Sequence, residues 1–366
     1  MTNSKNSERI ARVAKALEVD GSDLLLVTPS ADLRYLADYQ ALPLERLTCL
    51  AITNAGKAWI IVPELERPAA EAAGVTDHGI ELLSWHETQD PFAMLAQAVG
   101  RVERPLVNNT MWVEKAQHLQ QAFNATVGLA NNILADIRMV KNADEIAALH
   151  EAGAAIDEVH GQMGKWLRPG RTEREVGRDI AEAIIAAGHE TVDFVIVASG
   201  PNGASPHHEV SDRIIHAGEP VVVDIGGTMP NGYCSDSTRM YACGSVEQEF
   251  SDMYQVLLRA QAEAVAYARA GVTCESVDAI ARNILGQHNM DEFFIHRTGH
   301  GIGMETHEEP YIVSGNSRII QDGHAFSIEP GFYIPGRFGA RIEDIVTCWD
   351  GVVSSANNTT HELVIL

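Results

Sequence analysis

The sequence predicts a two-domain protein of the mixed α/β class, on three observations. The chain has 366 residues, enough for two domains at roughly 150 residues each. Its opening alternates a helix-period segment with short apolar runs of strand length. Its second part begins with helix-start signatures and then turns strand-rich. Hydrophobic residues at 45% and charged residues at 21% are globular values, so the whole chain is expected to fold.

In the first helix, Ile10, Val13, Ala14 and Leu17 fall on one face, and Leu24 to Val27 then reads as a buried strand. Leu50 to Thr53 and Ala58 to Val62 flank the turn-like Asn54-Ala55-Gly56-Lys57, and Val113 to Phe123 reads as a helix. Asn142 followed by Glu145 forms a capping box that opens a helix carrying Ile146, Leu149, Ala152 and Ile156. The domain boundary is placed just before it, giving domains 1–137 and 138–366. Thr172 with Glu175 opens a further helix, with Val176, Ile180 and Ile184 inward, and Phe194 to Ala198 reads as a strand. No internal repeat interrupts this order.

There are 27 basic and 50 acidic side chains, a net charge of −23. That field opposes phosphate backbones and anionic lipid, so neither nucleic acid nor membrane is an expected partner. The five cysteines Cys49, Cys234, Cys243, Cys274 and Cys348 include no CxxC pair, which points to a reducing compartment and a cytoplasmic location. No signal-type apolar core occupies the N-terminus, and no membrane-spanning apolar run occurs.

The chemistry gathers in the second domain. Pro220 to Gly227 is a buried strand interrupted by Asp224, and burying an unpaired carboxylate costs several kcal/mol. Pro230-Asn231-Gly232 is hairpin chemistry, and it brings Asp236 back on the next strand. A two-residue loop would turn the two acids to opposite faces. A three-residue loop, with Gly232 left-handed in a bulge, opposes Asp224 to Thr238 and Asp236 to Gly226, leaving both carboxylates on one face. Glu329 and Glu343 repeat the oddity of an acid in an apolar, strand-like stretch, and His300 sits among glycines that allow close backbone approach.

Taken singly, an acid in a strand such as Asp224 reads as an edge or salt-bridged residue, His300 as a turn or packing histidine, and Glu329 before Pro330 as the end of a strand. As a set, Asp224, Asp236, His300, Glu329 and Glu343 read differently. Four carboxylates converging in a low-dielectric cavity would be driven neutral or would unfold the site, whereas two divalent cations match their charge. Oxygen donors with one nitrogen suit Mn²⁺, Fe²⁺, Co²⁺ or Zn²⁺.

The stretches VVVDIGG, YCSDSTR, HRTGHGIG, THEEP, SIEPG and RIEDIV resemble, in order and separation, the pita-bread metallopeptidases of the prolidase and aminopeptidase P type. The first 136 residues, with RYLADY, resemble the creatinase-type N-terminal domain. The resemblance implies a pita-bread catalytic domain of two α/β halves around a curved, mainly antiparallel sheet. It makes Asp224 a ligand of one metal, Asp236 and Glu343 bridging ligands, and His300 and Glu329 ligands of the second, with manganese the first expectation. It also assigns His207 and His307 to the substrate site, with His208 a register alternative to His207, and implies a homodimer. His208 and His296 otherwise read as structural. Arg341, two residues before Glu343, is expected to support the site and substrate through charge-assisted hydrogen bonds, with a plain salt bridge as the other reading. Two departures stand out. The paired aspartates are one residue farther apart than in many relatives, hence the odd-sized loop. Some dipeptide-cleaving prolidases carry arginine directly after His-x-x-Pro, where this chain has Tyr311, which puts strict dipeptide specificity in question.

The expected reaction is hydrolysis of the bond between an N-terminal residue and proline, in dipeptides or longer peptides, by a hydroxide bridging two metals. Glu329 would pass a proton to the leaving nitrogen, and His207 and His307 would hydrogen-bond the tetrahedral intermediate or the proline end. Competing readings are a metal-dependent lyase or other hydrolase on the same fold and a non-catalytic binding relative. The complete ligand set argues against both the metal-free creatinase mode and simple binding.

Overall fold

The structure is a computed structural model and describes residues 5–366, which divide after Arg138 into two compact units.

In the first unit, α1 (Lys5–Asp20) buries Ile10, Val13, Ala14 and Leu17, the face expected from their spacing. Then follow β1 (Leu24–Val27), α2 (Ala31–Ala37), β2 (Cys49–Thr53), β3 (Ala58–Pro63), α3 (Arg67–Ala72) and β4 (Ile80–Trp85). The unit continues with α4 (Pro91–Val99), β5 (Pro105–Val107), α5 (Val113–Phe123), β6 (Gly128–Leu129) and α6 (Asn131–Met139), the last ending at the division. Local chemistry sets several helix ends. The Ser30 side chain accepts from the Leu33 amide to start α2, Asp90 caps α4 ahead of Pro91, and left-handed Asn124 stops α5. The strands form one mixed sheet in the order β4-β3-β2-β1-β5-β6. Fully buried Leu24, Leu26, Ala51 and Ile61 pack in its core with Leu95 and Leu119 of α4 and α5.

The second unit opens with α7 (Ala143–His160) and α8 (Glu173–Ala186), each begun by the complete capping box read from Asn142/Glu145 and Thr172/Glu175. Strands β7 (Thr191–Ser199), β8 (Pro220–Thr228) and β9 (Cys234–Ala242) form an antiparallel sheet, which β17 (Val364–Ile365) extends in parallel beside β9. Helices α9 (Gln248–Tyr267) and α10 (Cys274–Gln287) follow. The remaining strands are β10 (Gly299–Gly301), β11 (Glu308–Ile312), β12 (Ala325–Ile328), β13 (Gly331–Ile334), β14 (Phe338–Arg341), β15 (Asp344–Trp349) and β16 (Val352–Ser355). They make an antiparallel sheet β11-β10-β12-β15-β16 and the two-stranded β13-β14.

Strand alternation decides what lies on each side of β8. Val221, Val223 and Ile225 enter a core with Ile156 and Val159 of α7 and Val176, Ile180 and Ile184 of α8. Val222 and Met240 enter the other core, with Leu257 and Ala260 of α9, Ala281 of α10, Phe326 and Ile328. Asp224 and Asp236 fall on that second face by the same period of two. Two α/β halves therefore share one curved, mostly antiparallel β structure, the pita-bread arrangement. Among the described residues, no helix is long and apolar enough to cross a membrane.

Candidate metal centre

The β8–β9 hairpin has the odd-sized loop. Met229 and Tyr233 close it, with the Tyr233 carbonyl accepting from Met229 N at 2.9 Å and the Met229 carbonyl from Gly232 N at 2.7 Å. Gly232 takes a φ of 91°, the left-handed region a bulge residue requires. Asp224 consequently pairs with Thr238 and Gly226 with Asp236, which makes the two acids diagonal neighbours on one face. The turn is also tied to α7: Glu145 closes the capping box with one carboxylate oxygen and accepts Tyr233 OH at 2.7 Å with the other.

Glu329 and Glu343 do not lie inside strands, as the apolar flanks implied. They sit at breaks, between β12 and β13 and between β14 and β15. The breaks interrupt a single ladder without shifting it, since Ile328 pairs with Asp344 before the gap and Gly331 with Arg341 after it. That register sets Glu329 opposite Glu343. Like charges placed this way repel, a repulsion that a cation held between them would relieve. Glu343 also bridges across to Thr238 of β9, joining this ladder to the first hairpin.

His300 occupies β10 between two glycines that nothing larger could replace. A Cβ on Gly299 would fall 1.9 Å from the Ser327 carbonyl oxygen, and one on Gly301 would fall 2.2 Å from that of Glu309. Nδ1 of His300 lies 3.1 Å from the Gly301 carbonyl, to which it donates in the neutral ring, leaving Nε2 as a lone-pair donor. Nε2 faces Glu329 Oε1 at 3.3 Å, Asp236 Oδ2 at 3.6 Å and Glu343 Oε1 at 3.9 Å. Burial, reinforced by the neighbouring His307, holds the His300 pKa well below the usual imidazole value.

Asp236, His300 and Glu343 each present a ligand atom within 4.8 Å of the others, the geometry of a shared cation. Asp224 reaches this cluster less directly. Its Oδ2 is held by Arg341 Nη2, while its Oδ1 is buried without a hydrogen bond, as is Oε1 of Glu343. A buried, unpaired Glu343 Oε1 facing an imidazole lone pair, with a second unpaired oxygen on Asp224 of the same sheet face, is what a divalent ion would satisfy, so the residues present fit a divalent metal. Burial, then the neighbouring carboxylates, pushes Asp236 and Glu343 well above the usual carboxylate range. Burial likewise takes Glu329 up to about 7, against the opposing pull of Arg341.

Arg341 is 3% exposed, and its guanidinium contacts Asp224, Thr238 Oγ1 at 3.1 Å and Tyr333 OH at 2.7 Å, with Glu329 Oε2 at 3.8 Å. Through these contacts the guanidinium holds Asp224 and Thr238 in place. It also approaches the Pro206 carbonyl at 3.4 Å, directly before His207. His207 and His307 are both exposed, and the His307 ring stands edge-on to His300 with centroids 4.1 Å apart. His208 instead turns to the buried Glu173 at 2.8 Å, a structural contact. His296 lies between the Arg297 carbonyl at 2.6 Å and Tyr333 OH at 2.8 Å; burial takes its pKa down to about 3, so the chain Arg341 to Tyr333 to His296 is held with a neutral ring.

Thr238 and Tyr333 were not singled out from the sequence. The Thr238 hydroxyl donates to Glu343 Oε2 at 2.8 Å and accepts from Arg341, so it orients a carboxylate and a guanidinium at once. Its position opposite Asp224 in the hairpin register was the available signal. A buried ion pair, Lys141 Nζ to Glu308 Oε1 at 2.5 Å, anchors the residue next to His307 to the segment that opens α7.

Fold and centre together define a class: a metal-dependent peptidase on a pita-bread unit preceded by a creatinase-type domain. Residues 147–349 match the model of Metallopeptidase family M24, and residues 9–140 match the Creatinase/Prolidase N-terminal domain. The chain is 45% identical over 361 residues to the "Probable dipeptidase PepE" of Mycobacterium tuberculosis, covering 98% of this chain and 96% of that protein. Dipeptidase PepE from Mycobacterium ulcerans superposes with a TM-score of 0.94 at 46% identity, covering 100% of this chain and 99% of the other. Recombinant prolidase from Thermococcus sibiricus gives 0.92 at 34%, covering 99% and 100%. The chain belongs to metallopeptidase family M24. It is a peptidase, and its family implies a divalent-metal cofactor and a peptide substrate.

Proposed function

We propose that the chain hydrolyses the peptide bond between an N-terminal residue and proline, in dipeptides or short peptides, with two divalent cations, manganese first among them, held by Asp224, Asp236, His300, Glu329 and Glu343. The observation that carries this reading is the convergence of Asp236, Glu329 and Glu343 on the free Nε2 of His300, with Asp224 on the same sheet face. Such cations supply Lewis acidity towards the scissile carbonyl and lower the pKa of water towards about 7.

The chain's own groups divide the remaining work. Glu329, whose Oε1 lies 3.3 Å from His300 Nε2, is the carboxyl assigned to pass a proton to the leaving proline nitrogen. His207 and His307, exposed beside the cluster, hydrogen-bond the substrate oxygen and the proline end. Arg341 and Thr238 keep Asp224 and Glu343 aimed. Proline's tertiary amide lacks an N–H and resists ordinary peptidases, so a site organised around the carbonyl and leaving nitrogen suits it. Among solved structures, an Xaa-Pro dipeptidase from Bacillus anthracis superposes with a TM-score of 0.91 at 28% identity, which supports the same preference. The reading includes a homodimer and a cytoplasmic setting; all five cysteines are free and buried, in keeping with a reducing compartment.

The test is a length series. Mn²⁺-loaded enzyme should cleave Ala-Pro and Ala-Pro-containing tri- and tetrapeptides faster than the matched Ala-Ala series. Equal or faster cleavage of the Ala-Ala series refutes proline preference, and inertness towards every peptide refutes the reading altogether.

A further inference from the structure

Tyr311 stands where some dipeptide-cleaving relatives carry arginine, yet the structure brings a guanidinium to that residue from the segment just before β10. The Arg297 guanidinium carbon lies 4.3 Å from the centroid of the Tyr311 ring. Arg297 is half-buried, and its guanidinium makes no hydrogen bond or ion pair with any of the described residues. Nearby cations are committed: Arg341 to Asp224, Lys141 to Glu308 and Arg282 to Asp278.

The Arg297 backbone is fixed. Its carbonyl faces His296 Nδ1 at 2.6 Å, and the next amide, of Thr298, donates to the Ile312 carbonyl at 3.0 Å. His300 follows three residues later in β10, and Tyr311, four residues after His307, lies in β11, the strand paired with β10, so the stacked pair sits beside the His300–His307 contact. An oriented, partly desolvated guanidinium with no anion beside it is a carboxylate receptor, because its planar fork matches two carboxylate oxygens. In a dipeptide the free carboxylate lies on the residue that supplies the leaving nitrogen, one residue beyond the scissile bond. A longer peptide carries a neutral amide there.

We propose that Arg297 binds the C-terminal carboxylate of a dipeptide substrate, with Tyr311 as the plate that holds the guanidinium in position, and so makes the enzyme prefer dipeptides. This rests on the peptidase reading above and assigns its specificity. A lysine at 297 would keep the charge and lose the fork and the stacking.

The test compares free acids with amides, Ala-Pro against Ala-Pro-amide and Ala-Ala against Ala-Ala-amide, on full-length Mn²⁺ enzyme as wild type, Arg297→Met, Arg297→Lys and Tyr311→Ala. Calorimetric binding of the Ala-Pro pair provides a readout independent of turnover, and melting temperatures confirm folding. Wild type should favour the acid on the order of 100-fold, chiefly through KM. Arg297→Met should collapse the acid-to-amide preference to within about threefold, the acid losing far more than the amide, with Lys and Tyr311→Ala intermediate. A preference that survives in folded Arg297→Met, a wild type without one, or an equal loss on acid and amide overturns the proposal. Cleavage of Ala-Ala but not Ala-Pro would defeat the proline reading alone, since the acid-to-amide ratio still judges Arg297. Should neither pair turn over, the ratio in binding decides.

Discussion

Glu343→Gln is expected to lower kcat/KM by on the order of 10³-fold, about 4 kcal/mol of transition-state stabilisation, and to reduce the metal that survives dialysis. The change is isosteric, so the loss would be electrostatic. Glu343 sits opposite Glu329, faces His300 Nε2 at 3.9 Å with Oε1, and has its other oxygen held by Thr238. A neutral amide keeps the shape and the Thr238 hydrogen bond but removes one of the two acids assigned to bridge the ions. Activity assays paired with elemental analysis check it; a variant within tenfold of wild type at full metal content would contradict the bridging role.

The same substitution should stabilise the metal-free protein at neutral pH. Asp236, Glu329 and Glu343 all have folded pKa values raised above those of the unfolded chain, Glu329 to about 7. For such groups the folded state binds more protons, so their contribution is fully present below the unfolded carboxylate range and is lost as pH rises through the folded pKa. Chelated wild type is therefore self-repelling at pH 7.5 and relieved near pH 5. Melting curves should show a large gap between metal-loaded and chelated enzyme at pH 7.5 that narrows at pH 5. Chelated Glu343→Gln should melt above chelated wild type at pH 7.5, by roughly 2–4 °C for each kcal/mol relieved. Buried neutral histidines such as His160 pull stability the other way in acid, which is why the comparison is of differences at fixed pH. A chelated variant that melts below chelated wild type at pH 7.5 would show that the acids do not repel one another.

What was legible in the sequence was what short-range chemistry determines. The capping boxes at Asn142 and Thr172 fix where α7 and α8 begin, and Pro230-Asn231-Gly232 fixes the register that places Asp224 and Asp236 on one face. His300 was legible because only glycines admit the backbones packed against it. Pro330 hinted that a strand ends at Glu329, but the break at Glu343 and the resumption of the ladder in register were not legible, because apolar flanks read alike in an unbroken strand and in a ladder that opens and resumes. Nor was the web joining Arg341, Asp224, Thr238, Tyr333 and His296, whose members lie up to 117 positions apart in the chain and meet only after both halves have packed. Arg341 also places a buried cation among four acids, which a balance of carboxylates against metals leaves out.

Five donors far apart in the chain are assigned to hold two ions in one pocket. Anomalous diffraction from crystals grown with Mn²⁺ tests it most directly: two peaks should lie among Asp224, Asp236, His300, Glu329 and Glu343, with Asp236 and Glu343 touching both. A single peak, or ions bound elsewhere with Asp224 still closed on Arg341, would contradict it.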